Sequence, residues 1–152
     1  MAKHPKIAVR ALIVNKDRQI LLLKRSNSDY WCLPGGDVEF GEKVRDTLIR
    51  EVREETNLNT IATFVLLYQD SLPTEVLKSH YVSIYFLCKV TGEIKLNEES
   101  SDYAWVGPED IDKYNIVFLN DDMMRQFWKD FSYKEWSINS EMASILIRRV
   151  NK

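Results

Sequence analysis

The stretch "GDVEFGEKVRDTLIREVREETNL", Gly36 to Leu58, decides how the chain is read. Residues 43–56 hold neither Gly nor Pro and are rich in Glu and Arg, which predicts a helix. At about 100° per residue, Val44, Leu48 and Val52 share one stripe, with Ile49 at its edge. Glu51, Glu54 and Glu55 fall within roughly 100° of one another beside that stripe. Spacings of i, i+3 and i+4 bring these like charges together, and each such pair costs about 0.2–0.5 kcal/mol. Two readings account for the cluster. In one it is a solvated face balanced by pairs such as Arg50–Glu54. In the other a cation removes the repulsion, and clustered carboxylate oxygens select a hard divalent ion, Mg²⁺ or Mn²⁺. A cation of that kind usually serves a phosphate-bearing substrate.

Working outward, "DYWCLPGGDVEFGE" (29–42) is punctuated by Pro34, Gly35, Gly36 and Gly41 and reads as a short strand running into a loop. Its glycines let backbone approach a ligand or metal, or simply turn the chain. "IAVRALIVN" (7–15) and "QILLLKR" (19–25), separated by "KDR", read as a hairpin. "TIATFVLLYQD" (60–70) and "HYVSIYFLCKV" (80–90) read as long strands joined by a loop containing Pro73. Residues 92–102 read as a loop with a short strand at "IKL", and "YAWV" (103–106) as a further strand. "GPEDIDKY" offers a helix start with Pro108 in its first turn, and residues 120–131 read as a helix capped by Asn120 or Asp121. Strands and helices interleave without a regular βαβ repeat, so a layered mixed α/β domain is expected rather than a doubly wound one.

The 152 residues fit one domain, 1–152, with a core at about 6–131 and an extension at about 132–152. A formal net charge of −2 without a long basic run argues against capture of a nucleic acid polymer. No apolar run approaches the roughly 20 residues that cross a bilayer, and "MAKHPKIAVR" has no signal-peptide core, so no membrane association and a cytoplasmic setting are expected. Cys32 and Cys88 stand apart in hydrophobic segments and read as buried free thiols. His4 and His80 are also isolated, which disfavours a zinc site of nitrogen and sulfur ligands.

The spacing Gly, five residues, Glu, seven residues, Arg-Glu, an aliphatic, one residue, Glu-Glu, then two positions and a final aliphatic resembles the Nudix box. Gly36, Glu42, Arg50, Glu51, Val52, Glu54, Glu55 and Leu58 fit it. A chance match in a chain of this length is on the order of one in a million at ordinary residue usage, so the resemblance outweighs the solvated-face reading. Asn57 departs from the family, which has Gly there; Asn is the next most tolerant residue for a left-handed helix end. The resemblance implies a Nudix α/β/α sandwich around a mixed sheet and hydrolysis of a diphosphate bond in a nucleoside diphosphate derivative. It implies Mg²⁺ (or Mn²⁺), with Glu51, Glu54, Glu55 and the Gly35 carbonyl as ligands, Glu42 shaping the metal site and Arg50 bracing the carboxylates. The general base is either Glu51 or a loop glutamate, for which Glu98 and Glu99 stand seven and six residues before Trp105.

Substrate choice rests on thinner signals. "LLLKRS" matches only part of a coenzyme A signature, and a tyrosine typical of dinucleoside polyphosphate hydrolases is replaced by Thr74, Glu75 and Val76. Pro73, fifteen residues past Leu58, occupies a position associated with ADP-ribose hydrolases. Asn120 opens the last helix where MutT-like enzymes place an Asn that reads a purine edge. The leading expectation is a MutT-like (deoxy)nucleoside triphosphate pyrophosphohydrolase that releases a nucleoside monophosphate and pyrophosphate. An ADP-ribose or nucleotide-sugar pyrophosphatase is the alternative, and a nucleotide sensor without turnover the alternative of another class. The tail carries Met142, Ile145 and Leu146 on one prospective helix face, for which core packing and a homodimer contact are both open.

Overall fold

The computed structural model describes residues 3–75 and 78–130. Strand β1 is Lys6–Ile13, β2 Ile20–Arg25, β3 Trp31–Cys32 and β4 Gly35–Asp37. Helix α1 spans Val44–Thr56, followed by β5 (Asn59–Ser71), β6 (Tyr81–Thr91), β7 (Ser100–Val106), a 3₁₀ turn at Ile111–Lys113 and helix α2 (Asn120–Asp130). One sheet has the order β4-β1-β6-β5 and the other β3-β2-β7. The β1–β6 pair is parallel and every other ladder antiparallel. Among the described residues no helix is long and apolar enough to cross a membrane.

Period-two alternation in β1 and β2 makes the layers. Val9, Ala11, Ile13, Leu21 and Leu23 pack with Leu48 and Val52 of α1. Leu12, Val14, Ile20 and Leu22 face the other way, toward Met123, Met124, Phe127 and Trp128 of α2. The result is the expected α/β/α arrangement. The stripe read on α1 is the one it buries, with Leu48 and Val52 fully covered and Ile49 at 39% exposure on the edge. Covering each of the two core side chains contributes about 1.5–3 kcal/mol. α2 is further tied down where the Trp128 indole N–H donates to the Arg18 carbonyl at 2.8 Å.

The hairpin expected over residues 7–25 does not form as a ladder. The turn is there, with Asn15 Oδ1 accepting the N–H groups of Asp17 (3.0 Å) and Gln19 (2.9 Å). Beyond it the strands share only the Val14–Ile20 bridge. Each has its hydrogen-bonding edges taken by others: β1 by β4 and β6, β2 by β3 and β7. The "IKL" segment forms no strand, while β7 starts earlier than expected because Arg25 pairs with Ser100 across a bulge. The helix expected to start at "GPEDIDKY" shrinks to the 3₁₀ turn. The tail reading lies outside the described residues.

α1 ends as the residue type at position 57 predicts. Asn57 adopts φ 66° and its N–H donates to the Arg53 carbonyl. Its Nδ2 adds a bond to the Glu93 carbonyl at 3.3 Å, tying the helix end to the loop before β7. A β-branched residue pays the left-handed penalty in full, about 1–2 kcal/mol. Asn57→Val is therefore expected to lower the melting midpoint by several degrees, whereas Asn57→Gly, which loses the side-chain bond but relieves the backbone, is expected to melt close to the wild type. Thermal scans that rank Gly below Val would remove this account of the helix end.

Candidate active site

Arg50 organises the acidic face of α1. Its Nε and Nη2 donate to the two oxygens of Glu42 at 2.8 and 3.1 Å, a bidentate pair. Nη1 donates to Glu51 Oε1 at 2.9 Å and to Glu54 Oε2 at 3.2 Å. The guanidinium holds the Glu42 carboxyl down to about 2. One cation thus gathers three carboxylates, Glu42, Glu51 and Glu54. Glu54 stays at the rim, with its side chain 52% exposed.

The two glycines before the helix bring backbone up to this face. A Cβ at Gly35 would lie 1.9 Å from the Val9 carbonyl oxygen, and one at Gly36 would lie 2.5 Å from the Glu51 carboxylate. With no Cβ at Gly35 or Gly36, β4 pairs with β1, Gly35 opposite Arg10, and also packs against α1. The Gly35 N–H donates to Glu55 Oε2 at 3.0 Å. Burial nevertheless pushes the Glu55 carboxyl up to about 8, against the pull of that N–H and with a contribution from neighbouring Glu51. Burial raises Glu51 too, partly offset by Arg50.

Glu51 and Glu55 open onto a cavity of about 330 Å³, which Gly35, Gly36, Asp37 and Glu99 also line. Two guanidiniums, Arg10 and Arg25, and the Phe118 ring complete much of the remaining wall. The loop bearing Glu99 is pinned to the end of β2, since Ser26 donates its Oγ to the Glu98 carbonyl (2.7 Å) and its N–H to the Glu99 carbonyl (2.9 Å). That attachment puts Glu99 on the cavity wall and leaves Glu98 off it. A broader apolar groove of about 730 Å³ adjoins the cavity, shares Arg25, Ser71 and Phe118 with it, and is walled by Tyr30, Leu72, Val117 and Leu119.

The donors suit a hard divalent ion in chemistry. Glu51 and Glu55 are oxygen ligands whose charge burial disfavours, so a cation between them relieves a penalty the protein carries. Among the described residues no three acidic or imidazole side chains are already gathered into a metal cluster; Arg50 occupies Glu51 and Glu54 instead, the charge a bound cation would share. Asn120, expected at a purine edge, is fully buried and off the cavity wall. Its Oδ1 accepts the Leu33 N–H at 2.9 Å, and its Nδ2 donates to the Tyr85 hydroxyl and the Phe118 carbonyl, both at 3.2 Å. The amide therefore spans the interior instead of capping α2. Arg10 and Arg25 are not among the site residues expected from the sequence. The signal for Arg10 was present: a lone charge inside the apolar run "IAVRALIV".

A family model described as NUDIX domain matches residues 4–127. An ADP-ribose pyrophosphatase of Methanocaldococcus jannaschii is 32% identical over 134 residues, covering 84% of this chain and 76% of that protein. The nucleoside triphosphatase NudI of Escherichia coli is 32% identical over 118 residues, covering 68% of this chain and 84% of its own. Among solved structures, the MutT protein of Methanosarcina mazei Go1 superposes with a TM-score of 0.73 at 30% identity, covering 86% of this chain and 97% of that one.

The Glu55 carboxyl has a consequence for pH. Folded, it keeps its proton up to about 8, against an ordinary value of 4.5, so the folded state binds that proton more tightly than the unfolded chain. Stability from this source is fully present at low pH and falls as pH rises through that window. Without divalent ions, the melting midpoint of the wild type is expected to drop from about pH 5 to about pH 8.5 by several degrees more than that of Glu55→Gln. Equal pH slopes in the two proteins would show that burial does not hold this proton.

Proposed function

The chain belongs to the Nudix family and is a Nudix hydrolase, and from that premise we propose that it is a MutT-like (deoxy)nucleoside triphosphate pyrophosphohydrolase that uses Mg²⁺ (or Mn²⁺) and releases a nucleoside monophosphate and pyrophosphate. One observation carries the reading: a single cavity lined by both carboxylates, Glu51, Glu55 and Glu99, and guanidiniums, Arg10 and Arg25. Such a cavity suits a cation and a polyphosphate together, because each charge finds its complement. The adjoining apolar groove is suited to the rest of a nucleotide. The NudI relative, a nucleoside triphosphatase, supports a triphosphate substrate.

Glu51, Glu54, Glu55 and the Gly35 carbonyl would hold the cation. Glu42 and Arg50 set the orientation of Glu51 and Glu54 through the bidentate pair and the two further bonds from Nη1. Bound there, a divalent ion neutralises phosphate charge and lowers the pKa of water. The remaining chemistry is one bond made and one broken. The oxygen of a water molecule bonds to phosphorus, an anhydride P–O bond cleaves, and pyrophosphate leaves. The water proton passes to a carboxylate. Of the three candidate bases, Glu99 is on the cavity wall and forms no ion pair among the described residues, Glu51 is engaged by Arg50, and Glu98 is off the wall. We therefore assign the base to Glu99. Asn120 acts at one remove, as a positioning residue that holds Leu33 and Phe118.

A second reading, ADP-ribose hydrolysis, has its own support in the Methanocaldococcus relative and in Pro73, which lies between Leu72 and Thr74 of the apolar groove. Purified protein incubated with Mg²⁺ or Mn²⁺ and a panel of unmodified and 8-oxo deoxynucleoside triphosphates, ADP-ribose, nucleotide sugars and dinucleoside polyphosphates decides between them. Pyrophosphate and a monophosphate from a triphosphate are expected, with loss by orders of magnitude in Glu55→Gln. AMP and ribose 5-phosphate released from ADP-ribose, with triphosphates left intact, would transfer the assignment to the second reading.

Glu99→Gln is expected to lower kcat by about 10²–10⁴-fold and to abolish the acidic limb of the pH–rate profile. If kcat stays within about threefold of the wild type, the base is Glu51.

A further inference from the structure

Arg10 is a buried charge on the cavity wall to which the steps of hydrolysis assign no individual role. It sits in β1 between Val9 and Ala11, at 8% exposure. A guanidinium has five N–H donors and is always charged, so such a position is unfavourable without anionic or polar partners. Those partners are scarce. Nη1 reaches the Leu33 carbonyl only at 3.5 Å, and the buried Nε has no hydrogen-bond partner. Among the described residues Arg10 forms no ion pair, although Glu55 lines the same cavity.

It also lies against an aromatic ring. The Arg10 Cζ lies 4.8 Å from the Phe118 centroid, and the Arg25 Cζ lies 5.7 Å from the same centroid. Two cations against one ring repel each other, and Arg25 likewise forms no ion pair among the described residues. The backbone presenting that ring is strained: Phe118 and Leu119 both take left-handed conformations, at φ 61° and 56°. The Asn120 amide holds the turn from inside by its bond to the Phe118 carbonyl. The fold thus holds a ring, through a strained turn and a buried amide, against two guanidiniums that form no ion pair among the described residues.

We propose that Arg10, together with Arg25, is the receptor for phosphoryl oxygens of the substrate, with Phe118 holding the two guanidiniums in place at the junction of the cavity and the apolar groove. The ligand class is a polyanionic phosphate chain. The inference rests on the proposed function in that a polyphosphate enters this cavity, and it adds Arg10 as the residue that fixes affinity for that chain. Phosphate oxygens match the planar fork of arginine, which lysine does not reproduce. Arg10→Lys is therefore not a neutral change.

Calorimetric titration of the full chain with inorganic pyrophosphate, with and without Mg²⁺, tests this directly. Arg10→Met is expected to weaken binding by about tenfold or more and Arg10→Lys by a smaller factor, with the salt dependence of binding reduced in Arg10→Met. On a nucleotide that the wild type hydrolyses, the same variants are expected to raise KM by a similar factor and leave kcat within about threefold. Should Arg10→Met not fold, as judged by loss of a cooperative melt, Arg10→Lys carries the test. Wild-type affinity for pyrophosphate in a folded variant, or no pyrophosphate binding by the wild type, overturns the proposal. Binding of pyrophosphate through Arg10 without turnover of any triphosphate leaves the receptor standing and removes the triphosphate reading. Turnover of a triphosphate with KM unchanged in Arg10→Met removes the receptor alone.

Discussion

Repulsion among carboxylates on one face of α1 is the constraint around which the rest of the structure is arranged. Glu51, Glu54 and Glu55 sit at spacings that force them together on a helix, and Glu42 joins them from the preceding loop. A single guanidinium, Arg50, offsets most of this charge by bonding three of the four. Glu55 lies beyond its reach. Burial drives that carboxyl toward its neutral form, against a backbone N–H from Gly35 and the more distant charge of Arg10. The helix is therefore electrostatically unfinished at one end of its acidic face, and that end opens onto the cavity.

What meets the acidic face is decided by small features of backbone. Gly35 and Gly36 let β4 lie between β1 and the α1 carboxylates, where any Cβ would collide with the Val9 carbonyl or with Glu51. The Asn120 amide then links this region to the opposite layer. It accepts the Leu33 N–H, two residues before Gly35, and donates to the carbonyl of Phe118 and to the Tyr85 hydroxyl, which itself donates to Gln69 at 2.9 Å. One buried side chain thus couples the glycine loop, the Phe118 turn and β6. The amide is shielded from water, so its bonds are costly to leave unmade, and the three segments are held in a common frame.

Much of this architecture was legible in the chain. The apolar stripe of α1 was the buried one, and Asn57 took the left-handed conformation that its residue type and position imply. Arg50 bonded Glu51 and Glu54 of the helix and Glu42 before it, but not Glu55. The misses share a physical cause. The hairpin failed because strand pairing depends on which edges are already occupied, and β1 and β2 each had better partners far along the chain. Asn120 was placed at a helix start, where capping and ligand reading are both local expectations, yet its bonds run to residues as distant as Leu33. Arg10 stands out in the sequence as a lone charge in an apolar strand, but its place depends on β1 running beside the glycine loop and the Phe118 ring.

The sequence by itself determined the family, the acidic helix and the residue types available for chemistry, because helical periodicity converts spacing directly into a shared face. Only the tertiary structure decided which of those groups look into one cavity. It separated Glu99 from Glu98, kept Glu54 at the rim with Arg50, and put Arg10 and Arg25 beside Phe118 in the same space as Glu51 and Glu55. These residues come from β1, β2, α1 and the loops before β7 and α2. No local rule relates their positions. Their meeting depends on the pairing of distant strand edges and on the close approach that two glycines permit.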